Sequence, residues 1–238
     1  MRNFFISLFL LALIGLLISL GFWQLDRAHE KQNILNQQAL GQTQKPISLQ
    51  EIQKLDSSMA LKSIRLTGTF DNQHSFLLDN KFNKHRPGYQ VITPFHDQKT
   101  GHWVLVNRGW ISQGQGRSET PKIPAVSGVV TILGVINSSA DKGFVLGKSV
   151  ENATIWPVLL QRINYDNIAA LLKVPVLPFV VLLDPKESFG FVREWQFVTI
   201  NPERHLGYAV QWFALAITLI ILLIVYQVKN RREKKSDV

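Results

Sequence analysis

There is no cysteine among the 238 residues of the chain. That removes thiolate metal sites, cysteine nucleophiles and the Cys-x-x-Cys-His attachment of haem. A domain held in an oxidising compartment would fold without disulfides. The short signatures of hydrolytic and nucleotide chemistry are missing too. There is no Gly-x-Ser-x-Gly, no His-Glu-x-x-His, no Walker A sequence, and no Gly-x-Gly-x-x-Gly opening a helix. No internal repeat is present, and no Arg-rich, acid-poor leader precedes the first apolar run.

Acidic charge is the scarcer sign, with 17 Asp and Glu against 26 Lys and Arg, a net +9. The excess is unevenly placed. Residues 229–238 carry Lys229, Arg231, Arg232, Lys234 and Lys235 against only Glu233 and Asp237. A basic cluster directly after an apolar run is a positive-inside anchor. It therefore points to a membrane surface and not to nucleic acid.

What the chain does have is two long apolar runs, one near each end. Residues 4–25 and 205–228 are each long enough to cross a hydrocarbon core of about 30 Å as a helix. The first run is longer than the apolar region of a secretory signal and is followed by no Ala-x-Ala cleavage pattern, so it is expected to stay in place. Residues 1–3 form a short cytoplasmic start and residues 229–238 a basic cytoplasmic tail. Residues 26–204, about 180 in all and enough for one sizeable core, are expected on the periplasmic side of a bacterial inner membrane. Trp23 suits the interfacial aromatic belt.

Between the runs the pattern changes character. Residues 26–40 read as a polar continuation of the first helix, with Gly41 as its stop. Ser48-Leu49-Gln50-Glu51 resembles a capping box opening a short helix to about Leu55. Ile64, Leu66, Gly68 and Phe70 then alternate with Arg65, Thr67 and Thr69, the period of a strand. Further strands are expected over 75–79, 89–95, 102–111, 129–136, 153–161 and 179–183. Residues 113–124 read as an exposed loop, and Asn164 or Asp166 caps a short helix through Leu172. The expected fold class is an α+β membrane protein. Two transmembrane helices flank an extracytoplasmic β-rich domain, an antiparallel barrel or sandwich with short helices.

Few side chains suggest chemistry. His96, Asp97 and His102 bracket a turn, but a two-histidine metal site needs a further ligand, and a solvated hairpin tip explains them. Gly114-Gln115-Gly116-Arg117 reads as a flexible loop before it reads as an anion site. The outlier is His205, which opens the second apolar run. Tyr208, Ala209, Trp212 and Ala216 follow it at helical spacing on one face. An imidazole above a stripe of aromatic and small residues can ligate haem iron, with Arg204 or Arg27 neutralising propionates. It also suits an ordinary helix entering a bilayer. In Val106-Asn107-Arg108-Gly109-Trp110, alternation places Val106, Arg108 and Trp110 on one strand face with Arg108 over Trp110. Trp110 is expected in the core.

Four segments carry a family resemblance. Gly21-Phe22-Trp23-Gln24-Leu25-Asp26-Arg27, Pro87-Gly88-Tyr89-Gln90-Val91-Ile92-Thr93-Pro94, Val106-Asn107-Arg108-Gly109-Trp110-Ile111 and His205-Leu206-Gly207-Tyr208-Ala209-Val210-Gln211-Trp212-Phe213 resemble the motifs of the Surfeit-locus-1 family, in that family's order. The resemblance runs from the first apolar run to the second. It implies a role in assembling cytochrome c oxidase, with oxidase subunit I and haem a synthase as partners. It also implies that haem a is the transiently bound cofactor and His205 its axial ligand, the chain's only metal contact. Tyr208, Trp212, Trp23, Gln24, Arg204 and Arg27 would surround that haem. On this reading the protein is not an enzyme. Two alternatives stay open: a scaffold that stabilises an oxidase assembly intermediate without haem, and a membrane-tethered periplasmic hydrolase using His96 or His102.

Overall fold

The structure is a computed structural model, which describes residues 2–52, 59–114, 120–138, 155–198 and 200–236. It divides into two compact units. One comprises Met1–Gln37 with Gln196–Val238, the other Gln38–Trp195.

The first unit is built from two long helices. Helix α1 runs over Arg2–Thr43 and helix α3 over Pro202–Ser236. The polar continuation expected after residue 25 is present, and the helix ends two residues beyond Gly41. Phe5–Gly41 and Pro202–Lys229 are long and apolar enough to cross a membrane. Their outward faces are greasy: Phe9 and Val210 are each 67% exposed. The two helices run side by side in opposite directions. Gln24 bonds His205, while Phe22, two residues earlier, stacks edge-on against Phe213, eight residues later, at 5.3 Å. Buried positions recur every seven residues: Ile14, Gly21 and Ala28 on α1, Ala209, Ala216 and Leu223 on α3. Seven residues are close to two helical turns, so these positions share one face of each helix. Small residues let the helices approach closely, as membrane helices without a hydrophobic driving force require. A β-carbon on Gly21 would lie 2.5 Å from the Phe213 ring, so any other residue there forces that ring to move.

The second unit is a β-structure. In chain order it holds β1 (Ile47–Ser48), β2 (Ser63–Phe70), β3 (Phe76–Asn83), β4 (Arg86–Asp97), β5 (Trp103–Ser112), β6 (Val130–Asn137), β7 (Val158–Leu160), α2 (Tyr165–Leu172) and β8 (Val176–Leu183). The strand order is β1-β2-β6-β8-β5-β4-β3-β7, and β2 also pairs with β4. That extra pairing closes β2, β6, β8, β5 and β4 into a five-stranded barrel. Closure pairs these five strands on both sides, while β1, β3 and β7 extend the sheet beyond the barrel. Four of its five pairings are antiparallel, and β5–β8 is parallel. The alternation read from the sequence is what fills it: Ile64, Leu66 and Phe70, Ile132 and Ile136, Phe179, Val181 and Leu183 all point inward and are buried. Each such side chain contributes about 1.5–3 kcal/mol by leaving water.

Local signals behave as their chemistry requires. Asn164 caps α2, its side chain accepting from the Asn167 N–H at 3.0 Å. Glu51 accepts from the backbone N–H and the hydroxyl of Ser48, at 3.1 and 2.8 Å, and these bonds hold its carboxyl below the ordinary range. The turn they stabilise is a short 3-10 helix over Leu49–Glu51. The expected extension to Leu55 falls outside the described residues, as do residues 115–119 of the 113–124 loop and residues 153–154 of the expected 153–161 strand.

One reading of the strand pattern is corrected. The β4–β5 register shifts between Val91 and Ile92: Gly109 faces Val91 and Asn107 faces Ile92, leaving Arg108 as the extra residue of a bulge. Gly109 adopts φ +112°, a conformation side chains rarely take, and the Asn107 side chain accepts from its N–H at 3.0 Å. The bulge breaks the alternation. Arg108 turns in between the rings of Phe70 and Phe191, not over Trp110. Trp110 is half-buried, its indole N–H donating to the Lys81 carbonyl at 3.0 Å.

Candidate functional site

His205 lies in the first turn of α3, which Pro202 opens at the position where a missing N–H costs nothing. It is 8% exposed, one of few buried polar residues among the described residues. Its Nδ1 sits 2.7 Å from Oε1 of Gln24. A carboxamide oxygen only accepts, so Nδ1 carries the proton and the Nε2 lone pair is left free. Nε2 is buried and has no hydrogen-bond partner. Buried polar atoms are nearly always paired, which sets Nε2 apart as an available donor to a ligand. A ligating histidine typically has its other nitrogen held by a carbonyl-type acceptor, and Gln24 provides that hold.

Beside this pair is a cleft of about 340 Å³ lined by Gln24, Tyr208, Gln211, Trp212 and Leu215. It is at the small end of small-molecule sites. His205 is not among its walls, and Nε2 is enclosed. The donor chemistry of His205 fits a haem iron.

The residues expected at the site are thus partly brought together. Gln24, His205, Tyr208 and Trp212 share one end of the helix pair. Ala209 and Ala216 are buried, while Tyr208 is 45% exposed. Trp23 and Arg27 form a separate group: the Arg27 guanidinium lies 5.7 Å from the Trp23 ring and pairs with Glu30 at 2.6 Å. Arg204 is exposed. The sequence reading missed Gln211 and Leu215, which lie three and seven residues beyond Tyr208. Following the face of Tyr208 as well as that of His205 would have found them.

The hairpin of His96, Asp97 and His102, offered above for hydrolysis, is occupied with its own turn. Asp97 is buried, and its carboxylate accepts from the N–H and hydroxyl of Thr100 at 3.0 and 2.8 Å and from the Thr67 N–H at 3.3 Å. His96 packs against the Trp103 ring at 4.9 Å, and His102 is exposed. Among the described residues no group of three or more His, Cys, Asp or Glu could hold a metal ion.

Comparison with known proteins agrees with the motifs. The sequence profile of the SURF1 family matches residues 11–217. A SURF1-like protein of Rickettsia felis is 28% identical over 231 residues, covering 93% of this chain and 96% of that protein. Surfeit locus protein 1 of Takifugu rubripes is 26% identical over 230 residues, covering 89% and 92%. That of Xenopus tropicalis is 24% identical over 215 residues, covering 83% and 67%. The matched region runs from within α1 to within α3, taking in the barrel and the Gln24–His205 pair, and the chain belongs to the SURF1 family.

Proposed function

We propose that this protein is a membrane-anchored assembly factor for cytochrome c oxidase, which receives haem a at His205 and presents it for insertion into subunit I. The observation that carries this reading is the buried imidazole with Nδ1 bonded to Gln24 and Nε2 free. Gln24 holds the proton on Nδ1 and fixes the ring plane. Tyr208 and Trp212 offer aromatic surface beside it. When bound, haem a would supply an iron that accepts an imidazole nitrogen. The protein acts as a carrier, not an enzyme, and haem a synthase is the partner from which it would receive its cargo. The basic residues in the last turns of α3, from Lys229 to Lys235, favour cytoplasmic termini and a periplasmic barrel in a bacterial inner membrane, with lipid around both helices.

The test is haem analysis of the full chain purified from cells that make haem a, alongside oxidase activity in the same membranes. His205→Ala should leave the protein inserted and cut its haem content by at least about tenfold, since metal sites lose that much from second-shell changes alone. Oxidase activity should fall with it. Normal haem retention in His205→Ala would show that another group holds the iron.

One observation favours a second reading. Nε2 is enclosed and His205 is absent from the cleft walls. A scaffold that stabilises an assembly intermediate would need no haem. Unmutated protein that emerges without haem from such cells, yet still supports oxidase assembly, would establish the scaffold.

A further inference from the structure

The bulge residue Arg108 has no part in the reading above. It is 3% exposed, in the barrel unit. Its guanidinium lies 5.3 Å from the ring centroid of Phe70 and 5.2 Å from that of Phe191. Nε donates to the Phe189 carbonyl at 2.8 Å and Nη2 to the Pro124 carbonyl at 3.1 Å. Those bonds use two of the five N–H donors of a guanidinium. Among the described residues no carboxylate pairs with it. Burial lowers its pKa to about 10, so it stays a cation at neutral pH. Buried charges are as a rule paired, because ring faces and neutral carbonyls return only part of the lost hydration.

Arg108 lines a recess of about 290 Å³. Pro124, Ala125, Val126 and Phe189 give it apolar walls and Ser127 and Ser188 polar ones, and among the described residues no acidic residue lines it. Both sides are held in place. The Asn72 side chain clamps Val126 by accepting from its N–H at 2.8 Å and donating to its carbonyl at 3.0 Å. On the other side the Phe191 N–H donates to the Arg108 carbonyl at 2.7 Å. Such a recess meets its ligand without reorganising.

The geometry points to this recess as a binding site for a carboxylate carried on a small apolar group. The single cation matches a single negative charge, and a planar carboxylate matches the guanidinium fork. A dianion would bring a second charge with no second cation among the lining residues to pair it.

The test uses the full chain in detergent micelles and titration calorimetry with N-acetyl-leucine, N-acetyl-leucinamide and inorganic phosphate. The acid should bind, and the amide should bind at least about tenfold more weakly, the loss expected on removing a charge-assisted hydrogen bond. Arg108→Met should abolish binding of the acid. Because that variant also frees two carbonyls, Ser127→Trp serves beside it: it fills the recess from an exposed position and leaves Arg108 intact. It should lose the acid while melting as the unmutated protein does. Equal behaviour of acid and amide, including no binding of either, would make Arg108 a purely structural staple. Phosphate bound as tightly as the acid would overturn the ligand class. Undiminished binding to Ser127→Trp would overturn the site.

Discussion

His205 in the helix pair and Asp97 in the barrel are both buried polar residues, yet their surroundings are opposite. Asp97 has three described donors on its carboxylate, all from residues of its own unit. His205 has one partner on one nitrogen and nothing on the other. A satisfied buried group holds a turn together. A half-satisfied one costs free energy and leaves a lone pair open to a further partner. Residue type alone would have ranked them the other way, because an Asp between two histidines resembles catalytic chemistry more than a lone histidine in a helix does.

Substitutions can break this contrast. The largest stability effect should come from Asp97→Ala, which strands three donors and should cost on the order of 3 kcal/mol. Thermal unfolding of the full chain in detergent reads it, and an unchanged midpoint would mean the turn does not depend on the carboxylate. Gly21→Leu should come next. Overpacking against Phe213 should cost about 2 kcal/mol. The matched control is Gly15→Leu on the same helix, where an added β-carbon meets nothing within 4 Å. If both variants melt alike, the seam is not tightly packed at Gly21. Gln24→Ala should cost only about 1 kcal/mol, one hydrogen bond. Its haem content should fall between that of the unmutated protein and His205→Ala, with Gln24→Glu restoring an acceptor. A haem content equal to the unmutated protein would leave Gln24 without a positioning role. The smallest effect belongs to His102→Ala, an exposed turn residue, within about 0.5 kcal/mol. Loss of oxidase activity in that variant would revive the hairpin as a functional site.

Much of the fold was legible because its signals are local. Apolar runs mark α1 and α3, period-2 alternation marks β2, short apolar stretches between turn residues mark β4, β5 and β6, and Asn164 marks the start of α2. Pairing was not legible. The parallel contact of β5 with β8 and the closure of β2 onto β4 join strands dozens of residues apart, and no local pattern encodes them. The Arg108 bulge defeated the alternation rule because one inserted residue reverses which face follows. At the site, His205 and its helical stripe stood out, but its partner Gln24 lies 181 residues away in sequence. Its role follows only once the two helices are seen side by side. The Arg27–Glu30 pair, three residues apart on one helix, was readable and passed over.

The seven-residue recurrence of Ile14, Gly21 and Ala28 against Ala209, Ala216 and Leu223 gives the anchor a phase. One residue inserted between Ile14 and Gly21 would rotate the preceding helix by about 100° and turn Ile14 away from α3. Seven residues would return it to within about 20° of its original face. The membrane anchor can therefore lengthen or shorten by whole heptads, matching bilayers of different thickness, while Gln24 stays opposite His205.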